Sequence, residues 1–534
     1  MDEPGPASGS SVLRSSAQIS GITLLARVAG FARWIVLGFA VGTTYLGNVY
    51  QSANLIPNVV FELLAGGMLA SIVVPTFVGE MAAGRERVNE LASTLANALL
   101  LVSIPLVVAG IVFAEPLFRV LLAGAPDAVR EQQVQLGAWF LRFFLPQVPL
   151  YLLGILMQGL LHAHRRFVWP ALGPLLSSLT VIATYLVFRA MGTDASLDDR
   201  GLQMYVLAGG TTLGVFVLTF CQLPPLLRIG IRWRPRLDHR DPVVRKALRA
   251  GLWGAVFVGL LQLLLLVVVA LANRVEGGVV AFQIANAFFE LPNAIVGLPV
   301  AIALFPALSE AFVRRDERQY ARLLTDGWRL ASFVALPAGV ALYFIAPVAS
   351  ETLLGWSDIA DPALVAATLR GLAIGVPPWV LMATIVRGFY ARGATSRPAL
   401  LNGLALGVVA LVGIGGAIAW DSRGVDAMRL LGSSVGLGWW VAAIAGVVLL
   451  SRAARAWSLG SAVRSLLASA ARAVVVGAAV WAAVRAVGED APVLALAAAL
   501  GAGVVVGVVL GARSPELRKT LALAGRGMQT QTDS

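Results

Sequence analysis

Fourteen apolar runs recur along this 534-residue chain, each long enough for the roughly 20 helical residues that cross a bilayer. They lie near 18–41, 48–75, 91–113, 135–161, 168–190, 203–227, 250–272, 277–307, 328–349, 363–387, 398–420, 430–450, 465–485 and 490–511. Backbone polar groups in hydrocarbon must be satisfied within the protein, and continuous apolar segments of this length do so as helices. With 58% hydrophobic and only 13% charged residues, the chain has too little polar surface for a soluble protein. The pattern predicts an all-α polytopic membrane protein with fourteen transmembrane helices. The stretch 114–124, with Glu115 and Arg119, reads as a short interfacial helix. The first 17 residues are polar, with Arg14 their one basic residue. No small-residue cleavage site is evident in the apolar run that follows, so we read a retained helix and not a signal peptide.

The basic residues orient these spans. With the N-terminus (1–17) in the cytoplasm, 27 of the 41 Lys and Arg fall on cytoplasmic segments, 8 on the opposite side and 6 within spans. The cytoplasmic set includes Arg85 and Arg87, Arg165 and Arg166, the 228–249 loop, 314–322, 387–397, 452–464 and the tail 512–534. The opposite loops are short, and two are acidic: Asp194, Asp198 and Asp199 in one, Glu351, Asp358 and Asp361 in another. Both termini are therefore expected in the cytoplasm. The loop 228–249 carries eight basic residues, which fit either lipid headgroups, a cytosolic partner or ordinary positive-inside anchoring. A net charge of +12 does not require nucleic acid, because positive-inside anchoring accounts for it.

Several chemistries are excluded. The single Cys221 allows no intramolecular disulfide and no cysteine-based metal site. There is no P-loop, so the chain does not hydrolyse ATP. His162 and His164 stand at a cytoplasmic helix end, as a metal pair or as interfacial histidines. No Ser-His-Asp grouping or facing carboxylate pair falls within the spans, which argues against an enzyme. No cofactor is implied.

Two blocks recur about 230 residues apart. Gln51-Ser52-Ala53-Asn54, Pro57-Asn58 and Pro75 return as Gln283-Ile284-Ala285-Asn286, Pro292-Asn293 and Pro306. Ala163 followed by Pro170-Ala171-Leu172 returns as Ala391 followed by Pro398-Ala399-Leu400. The shared order and offset indicate an internal duplication. Six helices separate the copies, so the repeats are parallel: an N-lobe at 18–228, a basic linker at 229–249 and a C-lobe at 250–451. Such repeats face each other about an axis along the membrane normal, with the substrate site between them. Spans 13 and 14, within 452–511, fall outside the duplication. They are rich in Ala, Val and Gly, which suits close helix packing or a smooth groove for a lipid chain.

Arg27 and Arg33 interrupt the otherwise apolar first span. Six helical positions place them within about 120° of each other and about 9 Å apart along the axis. An ionised side chain at this depth costs at least about 2.5–3.5 kcal/mol on insertion scales, so the pair suits a watery chamber that receives an anion. The alternative is that each snorkels to its nearer interface.

Arg27-Val28-Ala29-Gly30-Phe31-Ala32-Arg33, Ala53-Asn54-Leu55-Ile56-Pro57-Asn58, Glu62-Leu63-Leu64-Ala65-Gly66-Gly67 and Val73-Val74-Pro75 resemble the N-terminal lobe of the MurJ (MviN) lipid II flippases. Glu290-Leu291-Pro292, Gly297 and Pro306 resemble their eighth helix. The resemblance covers nearly the whole chain. The family belongs to the MOP exporter superfamily of the bacterial cytoplasmic membrane, and its members move an undecaprenyl-linked peptidoglycan precursor to the outer leaflet. The resemblance implies that Arg27 and Arg33 meet the pyrophosphate and sugar headgroup, where guanidinium forks can bind phosphate oxygens bidentately. It also implies that spans 13 and 14 hold the lipid tail.

The chain departs from the family pattern at three positions. Asn48 stands where relatives have an acid, and Phe61 and Ala287 stand where they have arginines. The glutamate and glycine pattern of the second span is closer to actinobacterial members. Arg142 and Arg370 are candidate replacements for the missing basic contacts, or helix-end residues that snorkel. Glu62 and Glu290, each near a Pro-Asn pair, either exchange partners with cavity arginines or are protonated and bonded to backbone. Pro146, Pro149 and the pair Pro377-Pro378 are expected to kink the fourth and tenth spans.

Three functions compete. One is lipid II transport by alternating access, with lipid II and membrane lipids as partners. Another is export of a different undecaprenyl-linked oligosaccharide; a cationic drug suits Arg27 and Arg33 poorly. The third is a non-transporting scaffold that docks cell-wall synthesis proteins. The seventh span carries no acidic residue, so the sequence supports no sodium site there, and the energy source stays open.

Overall fold

The computed structural model describes residues 9–65, 77–81, 84–192, 197–198, 200–234, 258–420, 422–454, 456–488 and 491–513. Among these residues there is no strand. Among the described residues eleven helices are long and apolar enough to cross a membrane, or twelve if one bent pair counts as a single span. The second and seventh expected spans are helical where described, as Tyr45–Ala65 and Val258–Ala272. Gly66, Gly67, Val73, Val74 and Pro75 of the family motif lie outside the described residues, as do most of the basic linker and the tail after 513. The chain divides into two compact units, Met1–Val280 and Ala281–Ser534.

The first unit contains α1 (Gly9–Ala40), α2 (Tyr45–Ala65), α3 (Arg85–Val112), α4 (Ala114–Leu121), α5 (Asp127–Phe144), α6 (Gln147–Ala163), α7 (Val168–Ala190), α8 (Leu202–Phe220), α9 (Leu223–Arg228) and α10 (Val258–Ala272). The interfacial helix expected at 114–124 is α4. Arg119 ties it to the next helix, reaching Glu115 and Glu131 at 2.8 Å each. The fourth span breaks at Pro146, between α5 and α6, where proline cannot donate the next helical bond. α1 packs along α7, and α2 packs on α5 and α6. Three side chains of α3, spaced one turn apart, hold the chain that follows α9. Asn89 donates to Gly230 O at 3.3 Å and accepts from Arg232 N at 3.2 Å. Ser93 Oγ accepts from Arg234 N at 3.0 Å, and Asn97 donates to Arg234 O at 3.0 Å.

The second unit begins inside α11 (Gly278–Pro292), which widens into a π-helix over Asn293–Gly297 and resumes as α12 (Leu298–Val313). Pro292 removes the bond to the Phe288 carbonyl, and the wide turn follows that loss. Next come α13 (Glu317–Leu354), α14 (Pro362–Ala373), α15 (Val376–Ala391), α16 (Ser396–Val409), a second π-helix (Ala410–Ile414) and α17 (Gly415–Ala419). The last three are α18 (Gly424–Ala453), α19 (Leu459–Val487) and α20 (Pro492–Arg513). α14 and α15 bend by 45° at Gly375, just before Pro377 and Pro378, where the tenth span was expected to kink.

α14 and α18 touch backbone to backbone through glycines four residues apart, Gly371 on α14 and Gly375 at the bend after it, against Gly432 and Gly436 on α18. A Cβ on Gly371 would lie 2.6 Å from Ser433 N, and one on Gly432 would strike the Thr368 carbonyl. Small residues at this spacing let membrane helices approach closely. α19 packs against α13, with Gly477 facing Val340 and Phe344, and α20 adds to the same apolar cluster. Outward faces of α19 and α20 are apolar, as at Val474 and Leu467 on one and Val504 and Val508 on the other.

Candidate functional site

Arg33 lies within the last two turns of α1, half-buried, where α1 packs on α7. Its charge acts on the hydroxyls of Tyr50, Tyr151 and Tyr185, contributed by α2, α6 and α7. Tyr50 Oη lies 3.0 Å from Tyr185 Oη and 2.6 Å from Thr211 Oγ1, and the Thr211 hydroxyl donates to Leu207 O at 2.7 Å. Edge-on contacts with Phe140 and Phe144, at ring distances of 5.6 and 5.7 Å, fix the Tyr50 ring. A pre-organised hydroxyl network in an otherwise apolar helix pack thus lies within electrostatic reach of Arg33. The sequence reading missed all three tyrosines. The signal available was that four of only eight tyrosines, these three and Tyr205, fall inside the N-lobe spans.

Arg27 is exposed one and a half turns earlier on α1, between exposed Leu24, Leu25 and Val28. Arg27 and Arg33 therefore share one continuous helix, as the sequence required.

Asn48 takes a different position from the one expected. It is fully buried, its Nδ2 donates to Val275 O at 2.7 Å, and its Oδ1 accepts from Val279 N at 2.9 Å. Ser52 and Asn273 bond to each other one turn further along, at 3.0 Å. Gly277, at φ +70°, brings the same turn against the Thr43 backbone, a conformation and an approach that favour glycine. The Asn48 amide is committed to holding the start of α2 on the turn before α11. The Phe61 ring lies 5.2 Å from the Tyr151 ring.

The other candidates are dispersed. Glu62 is exposed near the end of α2, and Arg142 is exposed near the end of α5; neither forms an ion pair among the described residues. Glu290 on α11 is half-buried and accepts a bond from Trp379 Nε1 at 3.3 Å. Trp379 in turn packs on Phe289 and Trp439, with ring distances of 6.2 and 4.4 Å. Arg370 on α14 sits over the Tyr343 ring at 5.6 Å, with its Nε buried. Neither glutamate is paired with an arginine among the described residues. His162 packs by the Phe167 ring and His164 Nδ1 lies 2.8 Å from Leu160 O. Among the described residues no cluster of metal-ligating side chains forms.

The chain is similar to several known proteins. A lipid II flippase MurJ from Burkholderia cenocepacia is 27% identical over 395 residues, 72% of this chain and 75% of that protein. A probable lipid II flippase MurJ from Bdellovibrio bacteriovorus is 28% identical over 486 residues, 88% of this chain and 86% of that one. Among solved structures, the inward closed conformation of lipid II flippase MurJ superposes with a TM-score of 0.73 at 16% identity, covering 92% of this chain and 98% of that one. An inward-facing MATE-family multidrug transporter of the MOP superfamily gives 0.66 at 15% identity over 82% of this chain and 98% of that one, a likeness of fold. The family model for lipid II flippase MurJ matches residues 39–510, and this chain belongs to that family.

Proposed function

We propose that the chain carries lipid II from the inner to the outer leaflet of the bacterial cytoplasmic membrane by alternating access, binding the headgroup at Arg27 and Arg33. The transport function rests on family membership across residues 39–510. The observation that supports the site is the electrostatic reach of Arg33 to Tyr50 and Tyr185, whose hydroxyls are linked to each other and to Thr211. A guanidinium offers a fork to pyrophosphate oxygens, and neighbouring hydroxyls suit the sugars.

In this reading the chain crosses the membrane fourteen times, with both termini cytoplasmic. Residues 18–228 and 250–451 form the two six-helix lobes, 229–249 the cytoplasmic linker, and α19 and α20 the groove for the polyprenyl tail. The apolar outward faces of those two helices support the last assignment. Glu62, Arg142, Glu290 and Arg370 are secondary contacts, and Asn48 serves the site by fixing α2. The family is one of transporters, and no catalytic residue is assigned. Cell-wall synthesis proteins are candidate partners at the cytoplasmic loops.

The test is to deplete the protein in its host and measure lipid II on the outer leaflet of intact cells. Loss of external lipid II with internal accumulation is expected. Unchanged exposure, with no redundant transporter present, would move the assignment to another polyprenyl-linked cargo.

A further inference from the structure

A second basic site lies far along the chain from Arg27 and Arg33. A cavity of about 500 Å³ opens between the first turns of α13 and the α18–α19 connection, lined by Arg318, Arg322, Arg329, Thr325, Asp326 and Ser458 among others. Residues 318, 322 and 329 fall within about 40° of one another on a helix, so the three arginines form one stripe.

Their neighbours are paired. Arg314 bonds Glu310 at 2.7 Å, and Arg392 bonds Glu317 at 3.0 Å. Among the described residues Arg318, Arg322 and Arg329 have no such partner, although Asp326 stands on the same wall. The cavity is also built rather than incidental. Trp328, only 2% exposed, donates from Nε1 to Ala462 O at 3.1 Å and meets the Trp457 ring at 5.9 Å. These contacts clamp the connection onto α13. Ser458 caps α19 by accepting from Ser461 N at 3.2 Å.

Depth indicates the ligand. α13 has 38 residues, about 57 Å of helix, against about 30 Å of hydrocarbon. Residues 330–350 carry no charge, and their length of about 31 Å matches that core. Arg329 then stands at the edge of the hydrocarbon and Arg322 about 10 Å further out, at headgroup depth. Beside the cavity, Leu459, Val463 and Leu467 form an exposed apolar lane along α19. Guanidinium groups at phosphate depth, next to an acyl-chain lane, fit a phospholipid. Asp326, with the hydroxyls of Thr325, Ser458 and Ser461, adds acceptors for a polyol.

We propose that this cavity binds the phosphoglycerol headgroup of an anionic membrane lipid, with the phosphate between Arg322 and Arg329, Arg318 adding positive charge at the outer end, and Asp326 accepting from the glycerol hydroxyls.

The full chain, purified in detergent, would be titrated with phosphatidylglycerol and with phosphatidylethanolamine and the retained lipid counted by native mass spectrometry. The expected result is preferential retention of phosphatidylglycerol. R318Q/R322Q/R329Q should weaken it at least tenfold, a loss of one to two charge-assisted contacts. The charge-matched R165Q/R166Q/R397Q should leave retention unchanged, and D326N should narrow the preference between the two lipids. A melting curve for each variant separates lost binding from lost fold. Equal retention by the first triple variant and the native chain would overturn the site. Displacement of the lipid by equimolar glycerol phosphate would overturn the lipid assignment in favour of a soluble phosphate. Neither outcome bears on the headgroup reading, which rests on Arg27 and Arg33.

Discussion

The two copies of the duplicated segment bury the same positions with opposite chemistry. At the offset of 232 residues that relates Gln51 to Gln283, Asn48, Tyr50 and Ser52 correspond to Val280, Phe282 and Ile284. All six are buried. In the first copy an amide, a phenol and a hydroxyl are each satisfied by a named partner, whereas the second presents only hydrocarbon. The first unit is thus held by buried hydrogen bonds at Asn48, Tyr50 and Ser52. The second relies on glycine-to-glycine contact between α14 and α18 and on a tryptophan cluster behind Glu290. A duplication keeps the path of the helices while freeing one copy to carry polar groups and the other to supply close packing. A satisfied buried network fixes one geometry, because each broken bond leaves a costly orphan.

The comparison can be broken first at Arg33. Arg33→Ala and Arg27→Ala should each abolish growth in a strain dependent on this protein while the folded protein persists, and lysine should restore only part, since it cannot bind bidentately. Full growth with both alanine variants would remove the headgroup site from the first unit. Next is the packing of the second unit. Gly432→Val forces a side chain into the Thr368 carbonyl, and overpacking of this kind costs about 1–3 kcal/mol or more. Unfolding in detergent measures it, and an unchanged midpoint would show that α14 and α18 are not locked.

A loss of comparable size is expected for Asn48→Ala, which strips partners from Val275 O and Val279 N at about 1–3 kcal/mol for each orphaned group. Asn48→Asp keeps only the acceptor and should fall between. Tyr50→Phe converts the first copy to the chemistry of the second at one atom, at a cost of about 0.5–1.5 kcal/mol in stability. The reciprocal Phe282→Tyr should also destabilise, because it buries a hydroxyl that nothing around the native ring requires; a gain in stability would deny that the copies have diverged. The smallest effect is predicted for Trp379→Phe. It removes a long bond to Glu290 but keeps the ring stack, and should shift the unfolding midpoint less than Tyr50→Phe.

The all-helical class and eleven or twelve of the spans were legible because hydrocarbon thickness imposes a length that hydropathy records directly. The interfacial α4 and the breaks at Pro146 and Gly375 were legible for similar local reasons. Arg27 and Arg33 stood out because charge in an apolar run is rare. The tyrosines beside Arg33 were not legible: they come from three helices, and no local pattern states that they converge. Asn48 shows another limit. Its position marked it as a departure from relatives, but sequence cannot say whether an amide turns to a cavity or to a backbone turn more than 220 residues away. The contact of α14 with α18 could have been read from Gly371, Gly375, Gly432 and Gly436. The π turn after Pro292 is harder to foresee. Its copy carries three more residues between the Asn and the Pro-Asn pair than the first copy does, and that excess falls just before the wide turn.

The three side chains of α3 that hold residues 230–234 grip carbonyls and amides, not side chains. Such a grip is blind to what the held residues are. Substitutions at Arg232 or Arg234 can change the charge shown there without loosening the anchor, so this stretch is free to drift and be recruited by selection. The fixed letters are Asn89, Ser93 and Asn97, and a lineage that kept those three could rewrite the message they hold.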